Sequence, residues 1–376
     1  MHERSAAGGS HGDTMQAEVR LPSRDLHADL SFYGERLGFR LESIFPADNP
    51  AVAVMTGHGL RIRLDRGADD APGTLLLLCD RPEAFAAGKS ELEAPGGTRI
   101  EIRSREPEFA HPPTRHALVV QRMEEGESWI VGRAGMQYRD LIPGRLGGAV
   151  IASHIRIPQG GPVPDMVHFH TIAFQLIYCC RGWFNVVYED QGPPFRLEAG
   201  DCVIQPPEIR HRVLESSDNA EVIELGVPAE HPTTIDHELT LPTGTLNPRR
   251  VFGGQRFCRH RRRDAAWEAW RLPGFEARRT GIADATGGVA NVEVARAANE
   301  AAHVVTSHDA DILFTFVLEG AMRLRASGRE VHDLRAGDAF VIPPRTRSAY
   351  EKRTPDLELL EVSLPGTFET TAHDGL

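Results

Sequence analysis

No apolar run in the chain approaches the roughly 20 residues that a membrane-spanning helix needs. The opening MHERSAAGGSHGD also lacks the apolar segment of a secretion signal. A cytoplasmic protein without a membrane partner is therefore expected. Cysteine is scarce: Cys79, Cys179, Cys180, Cys202 and Cys258 are an odd number with no CxxC spacing. That excludes a disulfide framework and a cysteine zinc site, and leaves reduced thiols. Positive charge is also short, with 42 Lys and Arg against 53 Asp and Glu and a net charge of -11. A nucleic-acid partner, which needs a basic face, is not expected. The one basic cluster, RHRRR at Arg259 to Arg263, reads as a solvated linker or a clamp between domains.

What the chain does have is 376 residues, 41% of them hydrophobic, enough for two or three domains. Its chemically richest stretch runs from VHFHTIAFQLIYCC to GDCVIQPPEIRHRV. His168 and His170 are two apart, so on an extended strand both imidazoles face the same way. Gln175 opens the next apolar strand, and His211 follows a Gly/Pro-rich turn and another strand. Three imidazoles and a carboxamide brought together inside a small β-barrel would hold one metal ion and leave positions open for substrate. Cys179 shares the face of Gln175 and is expected to line the barrel. Tyr178 and Trp183 are expected to pack.

After an N-terminal tail (1–15), residues 16–104 read as a small α+β module. AEVRLP is a strand, and Leu26, Leu30, Tyr33 and Leu37 recur at helical spacing, with Asp25 or Ser23 as N-cap and Gly38 at the end. FRLESIF, PAVAVM and LRIRLDR follow as strands, giving β-α-β-β-β. This order, with DLHADLSFYGERLGF as its helix, resembles the vicinal-oxygen-chelate superfamily, which includes glyoxalases and bleomycin-resistance proteins. APGGTRIEI resembles that family's closing strand, which implies metal-binding positions at Glu101 and, near the first strand, Glu18. Between Leu64 and Thr98 there is room for only part of the second β-α-β-β-β unit that such a site requires. A docking, binding or dimerising module is then expected, compatible with a homodimer. In that case Glu101 faces solvent with Arg99 and Arg103, while Ile100 and Ile102 face the core.

Residues 105–128 read as a linker, and beyond it the chain repeats itself. GMQYRDLIPGRLGGAVIASHIRI from Gly135 answers to GFEARRTGIADATGGVANVEVAR from Gly274, and LEAGDCVIQPPEIRH from Leu197 to LRAGDAFVIPPRTRS from Leu334. Short β-runs between Gly/Pro turns in both halves predict two homologous barrels. The fold class is mainly β: a first barrel at 129–230, a linker with a short helix at 231–272, a second barrel at 273–366 and a tail at 367–376. In the helix, RRDAAWEAWRLPGF, Trp267 and Trp270 are read as packing anchors.

HxH, a ligand five residues on, a glycine, then GD(x)4PP(x)3H resembles the cupin superfamily, and over about 230 residues the chain resembles a bicupin of jelly-roll barrels. The resemblance implies a metal at His168, His170 and His211, with Gln175 where most cupins have glutamate. In the second half Thr306, His308, Leu313 and Ser348 take the four places, with His303 nearby, so that barrel is expected to be metal-free.

Neutral histidines and a neutral Gln175 leave a divalent ion its full charge, which favours an anionic, bidentate oxygen substrate: an enol, catechol or hydroxy-acid. Fe(II) is the favoured ion and implies a dioxygenase, as in the gentisate-type bicupins that the architecture resembles. Zn, Ni or Mn would instead act as a Lewis acid in an isomerase, cyclase or lyase. His-His-Gln-His is similar to the set in certain cupin polyketide cyclases and sugar-acid tautomerases. A third alternative is a non-catalytic protein that binds a small molecule. Arg210 and Glu208, in PPEIRHR, are candidates to meet a substrate carboxylate or to orient a ligand.

Overall fold

The computed structural model describes residues 16–85, 88–105, 111–123, 129–298 and 304–376. The expected tail at 1–15, the ends of the expected linker and His303 lie outside the described residues. The chain divides into two compact units, one up to Phe109 and one from Ala110.

In the first unit Asp25 caps the helix Leu26–Ser31, accepting from the amides of His27 and Ala28, and a π-turn continues it through Phe32–Arg36. The strands Val19–Pro22, Arg40–Phe45, Val52–Gly57 and Leu60–Asp65 form one sheet, in which the first lies parallel to the fourth. A second sheet repeats the plan with one strand fewer: Thr74–Cys79 lies parallel to Arg99–Ser104, beside Glu91–Glu93, with the short helix Pro82–Phe85 in the connection. Tyr33, Leu37, Ile62, Ile100 and Ile102 belong to the core that both sheets share. Burial follows the period of two, with Ile100 and Ile102 inside and Arg99 and Arg103 outside.

The second unit is two barrels of the same plan. In the first, a seven-stranded sheet contains Phe174–Arg181 flanked by Cys202–Ile204 and Ala220–Val227, and a second sheet holds His168–His170 beside His211–Ser216. In the second barrel Ile312–Glu319, Ala339–Val341 and Glu358–Leu364 repeat the larger sheet, and Val305–His308 beside Ser348–Glu351 the smaller. Alternation along one strand divides its side chains between two cores. Phe174, Leu176 and Tyr178 join a cluster that includes Ile282, Phe314, Phe316 and Leu360 of the second barrel. Ile177 and Cys179 point the other way, into the first barrel with Phe184, Val186 and Leu197.

Each barrel borrows its edge strand from the segment that precedes the other. Val119–Gln121, within the expected linker, pairs with Ala339–Val341 of the second barrel. Cys258–His260, between the barrels, pairs with Cys202–Ile204 of the first. The repeated Gly-Asp turn anchors both crossings. Asp201 Oδ1 accepts from Arg262 N at 2.8 Å, and Asp338 Oδ1 accepts from Met123 N at 2.8 Å. Both turns need glycine, since Gly200 and Gly337 have φ of +91° and +93°, and a Cβ would meet Arg262 at 2.5 Å and Met123 at 3.1 Å. The exchange pairs strand edges that would otherwise be open.

Two expectations are corrected here. The segment expected as a short helix has only a 3-10 turn at Arg262–Asp264, and Glu268–Ala269 is a strand beside Phe275–Arg279. Trp267 packs under the Arg278 and Arg296 guanidiniums, and Trp270 is buried, so both are anchors of an extended segment. Within the expected C-terminal tail, Thr370–His373 pairs with Val305–His308.

Candidate metal centre

The strand registers bring the predicted histidines together. His168 lies directly opposite His211, and His170 shares its face two residues on. The ring centroids of His168 and His211 are 4.2 Å apart, and those of His170 are 5.2 and 5.3 Å from the other two. One nitrogen from each ring falls within 4.8 Å of the others.

The backbone sets which nitrogen faces inward. His168 Nδ1 donates to Met166 O at 2.8 Å, and His211 Nδ1 to Ile209 O at 2.9 Å. His170 Nδ1 lies 2.9 Å from Thr233 Oγ1. With their Nδ1 atoms donating to carbonyls, His168 and His211 keep their Nε2 lone pairs for the interior. All three side chains are buried, and burial pushes their pKa values down, to about 3 for His170. They are neutral at ordinary pH, the form that binds a metal.

Gln175 points into the same barrel. Its Nε2 donates to Glu224 Oε1 at 2.5 Å, and its Oε1 is buried with no partner, as is His168 Nε2. Leaving such atoms unmet costs about 1–3 kcal/mol each, and a cation is the partner that a carbonyl oxygen and an imidazole lone pair share. The three imidazoles therefore fit a single ion.

Beside the histidines lies a cavity of about 70 Å³. Its walls are mainly apolar, including Met136, Ile155, Ile177, Phe184, Val186 and Leu197. Its polar lining is the three histidines, Arg133, Tyr138, Tyr188, Gln205 and Glu224. Arg133 is ion-paired with the buried Asp165, which also accepts from Val213 N at 2.9 Å.

The sequence reading missed Glu224 and Arg133. Glu224 lies in the strand AEVIELGV, whose acidic positions look like an ordinary exposed face until its register against Ile177 is known. Conversely, the loop candidates lie apart from the cavity lining. Glu208 is exposed, and Arg210 bonds Asp236 at 3.2 Å and stacks over Phe169. Arg210 thus has its charge paired with Asp236, and Glu208 faces outward.

The second barrel repeats the register and lacks the donors. Thr306 pairs with Ser348 as His168 does with His211, and Leu313 stands where Gln175 does. His308 spends its Nε2 on Ile342 O at 3.0 Å. Among the described residues one further cluster, His154, Cys180 and Glu221, has metal-like spacing. Arg139 Nη2 faces His154 Nδ1 at 3.1 Å, and His154 Nε2 lies 2.9 Å from Glu221. Both ring nitrogens are thus committed to a chain from arginine to carboxylate, which leaves no lone pair for an ion. In the first unit Glu18 is bonded to Arg61 and Arg63, and Glu101 to Arg103. Neither joins a ligand cluster among the described residues.

No known family profile matches the chain, and no curated protein matches it. Solved structures do. Salicylate 1,2-dioxygenase from Pseudaminobacter salicylatoxidans is 17% identical over 70% of this chain and 91% of its own, with a TM-score of 0.52. A mutant of that enzyme in complex with gentisate aligns at 19% identity over 71% of this chain and 88% of its own, with a TM-score of 0.51. A mutant oxalate decarboxylase from Bacillus subtilis aligns at 13% identity over 72% and 82%, with a TM-score of 0.50. The shared fold is the double cupin-type barrel. These neighbours are enzymes, and no helix among the described residues is long and apolar enough to cross a membrane.

Proposed function

We propose that the first barrel is a mononuclear metal centre held by His168, His170, His211 and Gln175, and that the protein is a dioxygenase-like enzyme acting on a small bidentate enol, catechol or hydroxy-acid. The observation that carries this is the convergence of three neutral imidazoles, their outer nitrogens fixed by Met166, Thr233 and Ile209, on one buried point. Fe(II) is the favoured ion, and when bound it would supply the redox chemistry that joins dioxygen to an electron-rich substrate.

The chain's own contribution is placement and exclusion. Apolar walls keep water from the reacting end of the substrate and hold its flat or alkyl body. Glu224 fixes the Gln175 amide so that its oxygen, not its nitrogen, is free. The pair of Arg133 and Asp165 closes one side of the cavity with no net charge.

A second reading has its own support. The amide at position 175, in place of the glutamate usual in cupins, favours a non-redox isomerase, cyclase or lyase with Zn, Ni or Mn as Lewis acid. Elemental analysis of anaerobically purified protein, followed by an oxygen electrode with catechol, enol and hydroxy-acid panels, decides. Iron with oxygen uptake supports the dioxygenase; zinc, nickel or manganese with product but no oxygen uptake supports the Lewis-acid enzyme. Tight binding without turnover would leave only a binding protein.

For the first unit we propose a vicinal-oxygen-chelate-like module that serves docking or dimerisation. Its four-stranded order and shortened second repeat support this, and the arginine-bonded Glu18 and Glu101 argue against catalysis there.

A further inference from the structure

Resting on the metal-centre reading above, we infer that the first barrel selects against carboxylate-bearing substrates and takes an apolar enol or catechol that brings a single negative charge to its chelating end.

The argument is one of charge around the cavity. Glu224 lines it, and its hydrogen-bond partner is the neutral Gln175 amide. Among the described residues no salt bridge involves Glu224. Arg133, the cation on the lining, is spent on Asp165. The arginine and aspartate cancel, so a divalent ion with Glu224 leaves one positive charge for the ligand to neutralise. A ligand with a further carboxylate would place a second anion beside Glu224 between apolar walls, where repulsion is weakly screened.

The second barrel shows that the uncompensated carboxylate is not forced by the fold. Glu361 occupies the position of Glu224, opposite Thr315 as Glu224 is opposite Ile177. Arg271 lies between the strands Glu268–Ala269 and Phe275–Arg279, as Arg133 lies between Ile130–Val131 and Gln137–Asp140. There arginine and glutamate pair directly through Arg271 Nε and Glu361 Oε1 at 3.0 Å and a second, shorter contact. In the first barrel Asp165 draws the arginine away and leaves the carboxylate facing the cavity.

The test uses zinc-loaded full-length protein under anaerobic conditions, which removes oxygen chemistry, and a matched pair of catechols differing at one substituent: 4-methylcatechol and 3,4-dihydroxybenzoate. Calorimetry should show 4-methylcatechol bound roughly tenfold more tightly. In Glu224→Gln, whose amide oxygen still accepts from Gln175, the ratio should fall to about threefold or less, the part owed to apolar contact. A ratio that persists in Glu224→Gln, or zinc-loaded protein that binds both ligands alike or neither, overturns the inference and leaves the metal centre standing. Protein that takes up no zinc, or takes it up equally in His168→Ala, refutes the metal centre and the inference with it.

Discussion

The two barrels share strand order, register, the Gly-Asp turn and a common core, yet only the first gathers three histidines at one point, and only the second pairs its buried glutamate with arginine. In the second barrel the charged groups close on one another, Arg271 with Glu361, while Trp270 Nε1 meets Glu293 at 2.9 Å and His308 Nε2 a backbone carbonyl, and the atoms left unmet are His308 Nδ1 and the hydroxyls of Thr315 and Ser363. The first leaves an imidazole nitrogen and a carboxamide oxygen unmet, and a carboxylate on the cavity wall. The difference teaches that this scaffold does not need the His168, His170, Gln175 and His211 set in order to fold. Their burial costs stability, which is expected of a binding site and not of a packing solution.

Acid should separate the barrels most strongly. Burial depresses the three clustered imidazoles below the ordinary value near 6.5, so below that pH the unfolded chain takes up protons that the folded chain cannot. Their contribution is complete above pH 6.5. On acidification to pH 5, His170, depressed to about 3, should cost about 2 kcal/mol, and His168 and His211 should add to the loss. The second barrel carries only His308 at these positions, depressed to about 4. Hydrogen exchange should therefore show the strands around His168 and His211 opening first as pH falls. Simultaneous opening of both barrels would break the contrast.

The next largest effect belongs to the second barrel. Arg271→Leu strands the buried Glu361 carboxylate and should destabilise by about 3–5 kcal/mol in denaturant titration. Arg271→Met with Glu361→Leu should recover most of that loss, because an apolar pair removes the buried charge altogether. Smaller again, Gln175→Leu copies Leu313 into the first barrel and should weaken ion uptake on the order of 10–100-fold, read by competition with a chelator. Smallest of all, Ser348→Ala should leave metal content unchanged and shift stability by no more than about 1 kcal/mol.

Much of this was legible from residue patterns. The HxH spacing, the downstream histidine and the repeated Gly-Asp turn are local signals, and the register repeats the alignment of Thr306 with His168 and Ser348 with His211. The double-barrel fold followed from the same repeat. What stayed hidden depends on distant pairing. Glu224 becomes a cavity residue only because its strand lies beside Phe174–Arg181, and the exchanged strands are three residues long with partners far away in the chain. The expected helix around Trp267 failed because a three-residue spacing of two tryptophans cannot show that arginines from neighbouring strands will cover one of them. Arg210 and Glu208 show the converse: they are close to His211 in sequence, but their side chains turn to Asp236 and solvent.

The central claim is that one barrel holds an ion and the other does not. It is tested most directly by the metal content of His211→Ala beside that of the unaltered protein, both purified anaerobically and matched by circular dichroism. The account predicts one equivalent in the unaltered protein and none in the variant. A full equivalent retained in His211→Ala would contradict it.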